Sequence, residues 1–248
     1  MAPGAQALEF QYTNPFTEGP QAGVARGLRI SGQVMQGDTA RLIQLFKRKP
    51  ADAWSALGRV ELAISGGDHT EALQLAETLA PLYPYVVATT DCAGPCALVW
   101  LSGAWRLVPR GRIGLQKPPA VSTANAVPRP GDAPPAFDVQ AARLRSYLVK
   151  QGLPSQLYER GYVENSDQVY WLSEEDTNAT GTWPPYYFEK LHPKCPKLNE
   201  SEESFHALRR CAARLVISQK AFALDALLKG VNDPWWNDNK DLFFNAPR

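Results

Sequence analysis

The feature that most constrains this chain is a strand, a glycine pair and a helix in immediate succession. Val60-Glu-Leu-Ala-Ile64 is a short, largely apolar run, Ser65-Gly66-Gly67 follows it, and Asp68-His-Thr-Glu71 opens a segment whose Leu75, Leu79 and Leu82 share one helical face. The run has the length of a buried strand, and paired glycines give the backbone a tight turn that side chains would resist. Asp68 and Glu71 have the spacing of a capping box. The same logic repeats on both sides. Upstream, residues 24–34 read as a strand, Gly37-Asp38 as a turn and N-cap, and Leu42, Ile43, Leu45 and Phe46 as a helix stripe. Downstream, residues 85–89 read as a strand, Cys92 to Cys96 as a turn and residues 97–104 as a helix. Strand–helix alternation predicts an α/β domain with a mostly parallel sheet and flanking helices.

The remainder is consistent with one domain over residues 21–230, because 248 residues supply one well-buried core without a second. Residues 105–108 and 112–115 read as short strands, and residues 117–136, with six prolines, as a loop. Residues 137–150 and 201–229 read as helices, with Leu144, Leu148, Leu208, Leu215, Phe222, Leu224 and Leu228 as core candidates. Tyr170-Trp-Leu172 reads as a strand, and Ser173-Glu-Glu-Asp176 as the cap of a helical turn. Residues 1–20 read as an extended N-terminal arm, and residues 231–248 as an irregular aromatic C-terminal tail that docks on the body or on a neighbouring subunit.

Charge excludes recruitment by bulk attraction. Lys and Arg number 26 against 25 Asp and Glu, so neither nucleic acid nor an anionic membrane is an expected partner. The basic run Lys47-Arg48-Lys49 ends a predicted helix, where cations complement the dipole. The longest mostly apolar stretch, residues 97–105, falls far short of the roughly 20 residues of a membrane span. The first residues lack the basic and apolar regions of a signal peptide. Four cysteines allow three pairings, of which Cys92 with Cys96 and Cys195 with Cys211 are the plausible set. The even count points to an oxidising compartment, periplasmic or secreted, against a cytoplasmic protein with four buried thiols. His69, His192 and His206 share no ligand spacing with the cysteines, and neither a metal nor another cofactor is expected.

Three segments in this order resemble the Clp protease/crotonase superfamily, most closely its bacterial exported, ClpP-like branch. They are Ile30-Ser-Gly-Gln-Val with Gly37-Asp38, then Leu62-Ala-Ile-Ser-Gly-Gly67, and Cys92-Ala-Gly-Pro-Cys96 with Leu101-Ser-Gly-Ala-Trp-Arg106 and Ile113-Gly-Leu-Gln116. The match covers roughly residues 24–180 and lies in order and spacing. The resemblance implies a spiral of ββα units, commonly assembled as trimers or larger rings, so a homo-oligomer is an expectation. It also implies that Gly66 and Gly67 belong to an oxyanion-hole turn beside a substrate groove. In active members the pentapeptide is Cys-Ala-Ser-Ala-Cys and the base ends an Ile-Gly-x-His pattern. Here Gly94 stands at the nucleophile position, Pro95, which has no N–H, at the second oxyanion donor, and Gln116 at the base. The expectation is therefore a degenerate member without peptidase activity of the family type, binding a peptide or protein segment in the retained groove.

Two rivals stay open. One is an active hydrolase or an acyl-CoA-binding crotonase-type enzyme with a non-standard nucleophile. Ser65, Ser102 and Cys96 are the alternatives, although a disulfide to Cys92 would block the last. Pro95 weakens the acyl-CoA variant, and no Glu pair stands near either turn. His69, just after Gly67, is expected to be a neutral hydrogen-bonding group rather than a base. Glu174, Glu175 and Asp176 are expected to cap a helix rather than orient a base. The other rival is a structural assembly subunit that uses the aromatic tail as its interface.

Overall fold

The computed structural model describes residues 6–14, 25–119, 136–164, 168–199 and 201–245. Most of the expected Pro-rich loop, residues 120–135, lies outside them, as do residues 1–5 and 15–24 of the arm and its approach to the first expected strand.

The chain is a mixed α/β structure with a mostly parallel sheet and flanking helices. Strands β2 (Gly27–Val34), β3 (Val60–Gly67), β4 (Tyr85–Ala88) and β6 (Trp105–Leu107) run parallel in the order 2-3-4-6, and β1 (Glu9–Thr13) adds antiparallel to β2. The arm segment is thus a sheet edge, with Leu8 buried beside it. A second sheet is built from β5 (Cys92–Ala93), β7 (Ile113–Leu115) and β8 (Tyr170–Trp171). Within this pair of sheets, β4–β5 leads into helix α4 (Pro95–Trp100), and β6–β7 precedes helix α5 (Ala136–Lys150). Each such unit gives one strand to each sheet and buries one helix, which matches the expected ββα logic.

Helices α1 (Asp38–Arg48) and α3 (His69–Leu79) follow β2 and β3. Leu42 and Phe46 of α1 are fully buried, whereas Ile43 and Leu45 are half-buried. Lys47 and Arg48 end α1. Leu75, Leu79 and Leu82 join the same core as Leu28, Ile30, Leu62 and Leu98. Several short helices carry no signal that the sequence reading used. These are α2 (Pro50–Ala56), α6 (Ser155–Tyr158) running into a π-helical turn at Glu159–Glu164, and α8 (Pro185–Leu191).

Helix α7 (Glu174–Ala179) has the expected cap: Ser173 Oγ accepts from the Asp176 amide at 3.0 Å, and the Ser173 amide donates to Asp176 Oδ2 at 3.2 Å. Two expectations need correction. Phe222 is not core: on helix α9 (Glu202–Leu227) the inward face is set by Leu215, Ala221 and Leu224, and Phe222 points outward, 54% exposed. The C-terminal tail is not irregular. It forms helix α10 (Pro234–Phe244), because Asp233 accepts the Trp236 amide at 2.8 Å and Pro234 suits the first helical position.

Candidate functional site

The site forms where β5 ends. The Gly94 amide donates to Gly114 of β7 at 3.0 Å, and Gly94 then takes φ 54°, ψ −114°, a conformation open to glycine and strained for side-chain-bearing residues. Pro95 starts α4 at the position that has no intrahelical amide bond to lose, and Leu98 donates back to the Gly94 carbonyl at 3.1 Å. A disulfide between Cys92 and Cys96 spans this elbow. A Cβ built on Gly94 would lie 2.6 Å from Gln116 Oε1 and 3.2 Å from His69 Nε2. Gln116 arrives there because β5 and β7 pair in register, Ala93 opposite Gly114, and Gln116 directly follows β7. His69 arrives as the first residue of α3. Three segments far apart in sequence therefore meet at the point to which a side chain of residue 94 would project.

The glycine pair leads from β3 into His69. Gly66 and Gly67 do not form a tight turn: they continue β3 past a bulge, pairing with Gln33 and Val34 at φ 137° and 118°. At Gly67 a Cβ would stand 2.2 Å from the Val34 carbonyl oxygen, so only glycine lets the two strands close here. The Asp68 amide then donates to the same carbonyl at 2.8 Å. Only half of the expected capping box forms. Asp68 Oδ1 accepts the Glu71 amide at 2.8 Å, but the buried Glu71 carboxylate accepts the Thr39 amide at 2.7 Å and so ties the start of α3 to α1.

His69 Nε2 is buried with no hydrogen-bond partner among the described residues. Burial lowers its pKa below 6.5 despite the nearby Asp68 carboxylate, which leaves the imidazole neutral at pH 7. The ring also lines a cavity of about 410 Å³ whose apolar walls are Leu73, Leu98, Leu144, Tyr158 and Tyr162, with Gly67 and Lys117 on its border. Of these, the residues from α5 to the π-helical turn were not anticipated. They reach the site because Gly161 lets the turn press against Leu115 of β7, where a Cβ would stand 2.5 Å from the leucine Cβ. A glycine inside a helical run is the one signal of that approach in the sequence.

The alternative nucleophiles do not reach this point. Ser65 is exposed and donates to the Gly32 carbonyl at 3.2 Å; Ser102 is buried beyond α4 and donates to Val99 at 2.7 Å. Cys96 carries no thiol, being bonded to Cys92. Cys195 and Cys211 form the second disulfide and tie the segment after α8 to α9. Glu174, Glu175 and Asp176 sit in the first turn of α7, as expected of capping residues. Among the described residues, no three His, Cys, Asp or Glu side chains gather as a metal group would require, and no helix is long and apolar enough to cross a membrane.

No family model and no curated protein matches the chain. It is similar to solved structures of ClpP1 from Listeria monocytogenes (18% identity, 63% of this chain and 87% of that one, TM-score 0.41). It is also similar to a mutant of 1510-N, a membrane-bound stomatin-specific protease (15% identity, 68% and 83%, TM-score 0.39). A third similar structure is ThnE from S. clavuligerus (13% identity, 87% and 94%, TM-score 0.36).

Proposed function

We propose that this chain is a catalytically silent, ClpP-like domain that binds an extended peptide or protein segment in the groove beside Gly66-Gly67. The observation that carries the reading is the convergence on Gly94: the elbow, His69 at the start of α3 and the residue after β7 meet as a hydrolytic site would, but the meeting point has no side chain. Gln116 cannot take a proton from an alcohol, and Pro95 offers no amide to a developing oxyanion. Losing one oxyanion donor alone costs about 2.7–4 kcal/mol of transition-state stabilisation. A serine-directed fluorophosphonate probe is expected to leave the protein unlabelled, while a library of extended peptides yields binders by titration calorimetry. Labelling accompanied by peptide cleavage would overturn the silent reading.

The rival enzyme reading loses its best nucleophile to the Cys92–Cys96 bond. Calorimetry with CoA thioesters, together with activity assays of Cys96→Ser and Cys96→Ala, tests what is left of it. The two disulfides support an oxidising, extracytoplasmic location over a cytoplasmic one. The assembly reading is weakened by the way the tail packs, with Trp236 buried and Phe243 stacked 4.2 Å from Trp54 of the same chain.

A further inference from the structure

A second concavity lies at the β6 edge of the main sheet and shares no lining residue with the cavity beside His69. Along β6 the side chains alternate: Arg106 is buried on one face, while Trp105 and Leu107 stand on the other, Trp105 at 51% exposure. Trp105 lies opposite Tyr85 in the parallel pairing of β4 with β6, so the two rings share a face of the sheet. Trp183 meets Trp105 edge-on, with ring centres 6.1 Å apart. Together with Trp54 of α2 these rings wall an open groove of about 580 Å³, a volume typical of small-molecule sites. Its one charged lining group is Lys220 of α9. The Lys220 ammonium donates to the Trp54 carbonyl at 2.7 Å and sits 4.4 Å from the centre of the Trp54 ring. An ammonium has three N–H groups, and among the described residues the other two have no acceptor and no carboxylate pairs with it. Burial lowers its pKa to about 8, which leaves it charged at pH 7 but without a counter-ion.

We propose that this groove binds a small aromatic carboxylate, its ring among Trp54, Tyr85, Trp105 and Trp183 and its carboxylate paired with Lys220. Each half of such a ligand answers one feature of the groove. An uncompensated ammonium beside apolar walls favours an anion over a neutral or cationic guest. No Asp or Glu lines the groove to repel that anion. A half-exposed indole on an edge strand is apolar surface that gains by being covered. Rings that stack or meet edge-on add a directional preference that an alkyl chain lacks. This site stands apart from the groove beside Gly66-Gly67, so either can fail without the other.

The test uses the whole chain with cinnamate, its neutral amide cinnamamide, and octanoate, an acid without a ring, with affinity read by calorimetry. Cinnamate is expected to bind on the order of tenfold more tightly than either of the others. Lys220→Met, which keeps the stem and removes the charge, should bring cinnamate down to the affinity of the amide. Trp105→Ala, a change at a half-exposed position, should weaken cinnamate and cinnamamide alike. Equal binding of cinnamate and cinnamamide would overturn the pairing with Lys220, and octanoate binding as tightly as cinnamate would overturn the seat of the ring. Cinnamate binding that survives both substitutions would place the ligand elsewhere on the molecule and overturn the site, as would no binding at all.

Discussion

Glycine is used at this site for two different reasons, and substitution separates them. A Cβ at Gly67 would run into the backbone of Val34, whereas at Gly66 it would meet nothing within 4 Å, although both have positive φ. Gly66→Ala therefore carries only the conformational cost, on the order of 1–3 kcal/mol. Gly67→Ala adds the parting of β2 from β3 and should lower the melting temperature markedly further; equal losses would show that the close approach is not what glycine serves here. Gly94 differs again, because its Cβ would meet the ends of two side chains that can move. Gly94→Ser should fold with a loss of about 1–3 kcal/mol. It should also acquire slow fluorophosphonate labelling that disappears when His69 is changed to Ala, since His69 Nε2 is the basic nitrogen beside the new side chain, whereas the nearer Gln116 Oε1 cannot take its proton. Gly94 and Gln116 were legible as neighbours because the order and register of β5 and β7 place them. His69 was legible as a neighbour but not in its state, because an orphaned ring nitrogen depends on what three distant segments leave around it.

Among the elements, those with aliphatic periodicity were readable and those built on aromatic residues or on tertiary support were not. Helix α3 shows its leucine face in the sequence, but α10 buries Trp236 and stacks Phe243 on Trp54, a pattern without the usual aliphatic stripe. Its Asp233-Pro234 start is a cap that the aromatic run conceals. The indole N–H of Trp236 donates to Asp225 of α9 at 2.9 Å, so the tail is fastened by packing and by a polar anchor. Trp236→Ala should cost about 3–5 kcal/mol in denaturant unfolding. Removing residues 231–248 should destabilise the chain while leaving its mass by light scattering unchanged; a fall in mass would instead place the tail at a subunit interface. Residues 195 and 211 are chemically joined across a separation of 16, and opening a loop of that length costs about 3 kcal/mol in the chain-entropy account. Dithiothreitol should accordingly lower the melting temperature, and Cys195→Ala with Cys211→Ala should reproduce most of the drop.

At the scale of the whole molecule, the interior is held by polar groups whose partners lie far away in sequence, which is why no local pattern disclosed them. Arg106, which follows the family-like Leu101-Ser-Gly-Ala-Trp stretch, is buried and donates to five backbone carbonyls, those of Leu101, Gly103, Gln151, Thr180 and Gly181. It joins the end of α4 to the ends of α5 and α7. Beside it Tyr147 donates to Leu98 at 2.9 Å and Tyr186 to Ala80 at 3.0 Å; elsewhere the hydroxyls of Tyr12, Tyr83 and Tyr162 are buried without partners among the described residues. Burial raises the pKa of all of these and of Tyr187, to about 12 for Tyr83. The sign follows from proton counts. Above pH 10 the unfolded chain ionises these tyrosines while the folded chain still binds their protons, so stability is fully present below pH 10 and is lost as pH rises toward the folded values. Burial pushes the Arg106 pKa down, the opposite direction, but a guanidinium that donates to five carbonyls keeps its proton. The urea midpoint should therefore fall steeply between pH 10 and 11.5, with phenolate absorbance appearing together with the loss of far-ultraviolet ellipticity. Phenolate absorbance that rose smoothly near pH 10 with the ellipticity unchanged would mean that these rings are open to water and that the second half of the chain does not pack around Arg106.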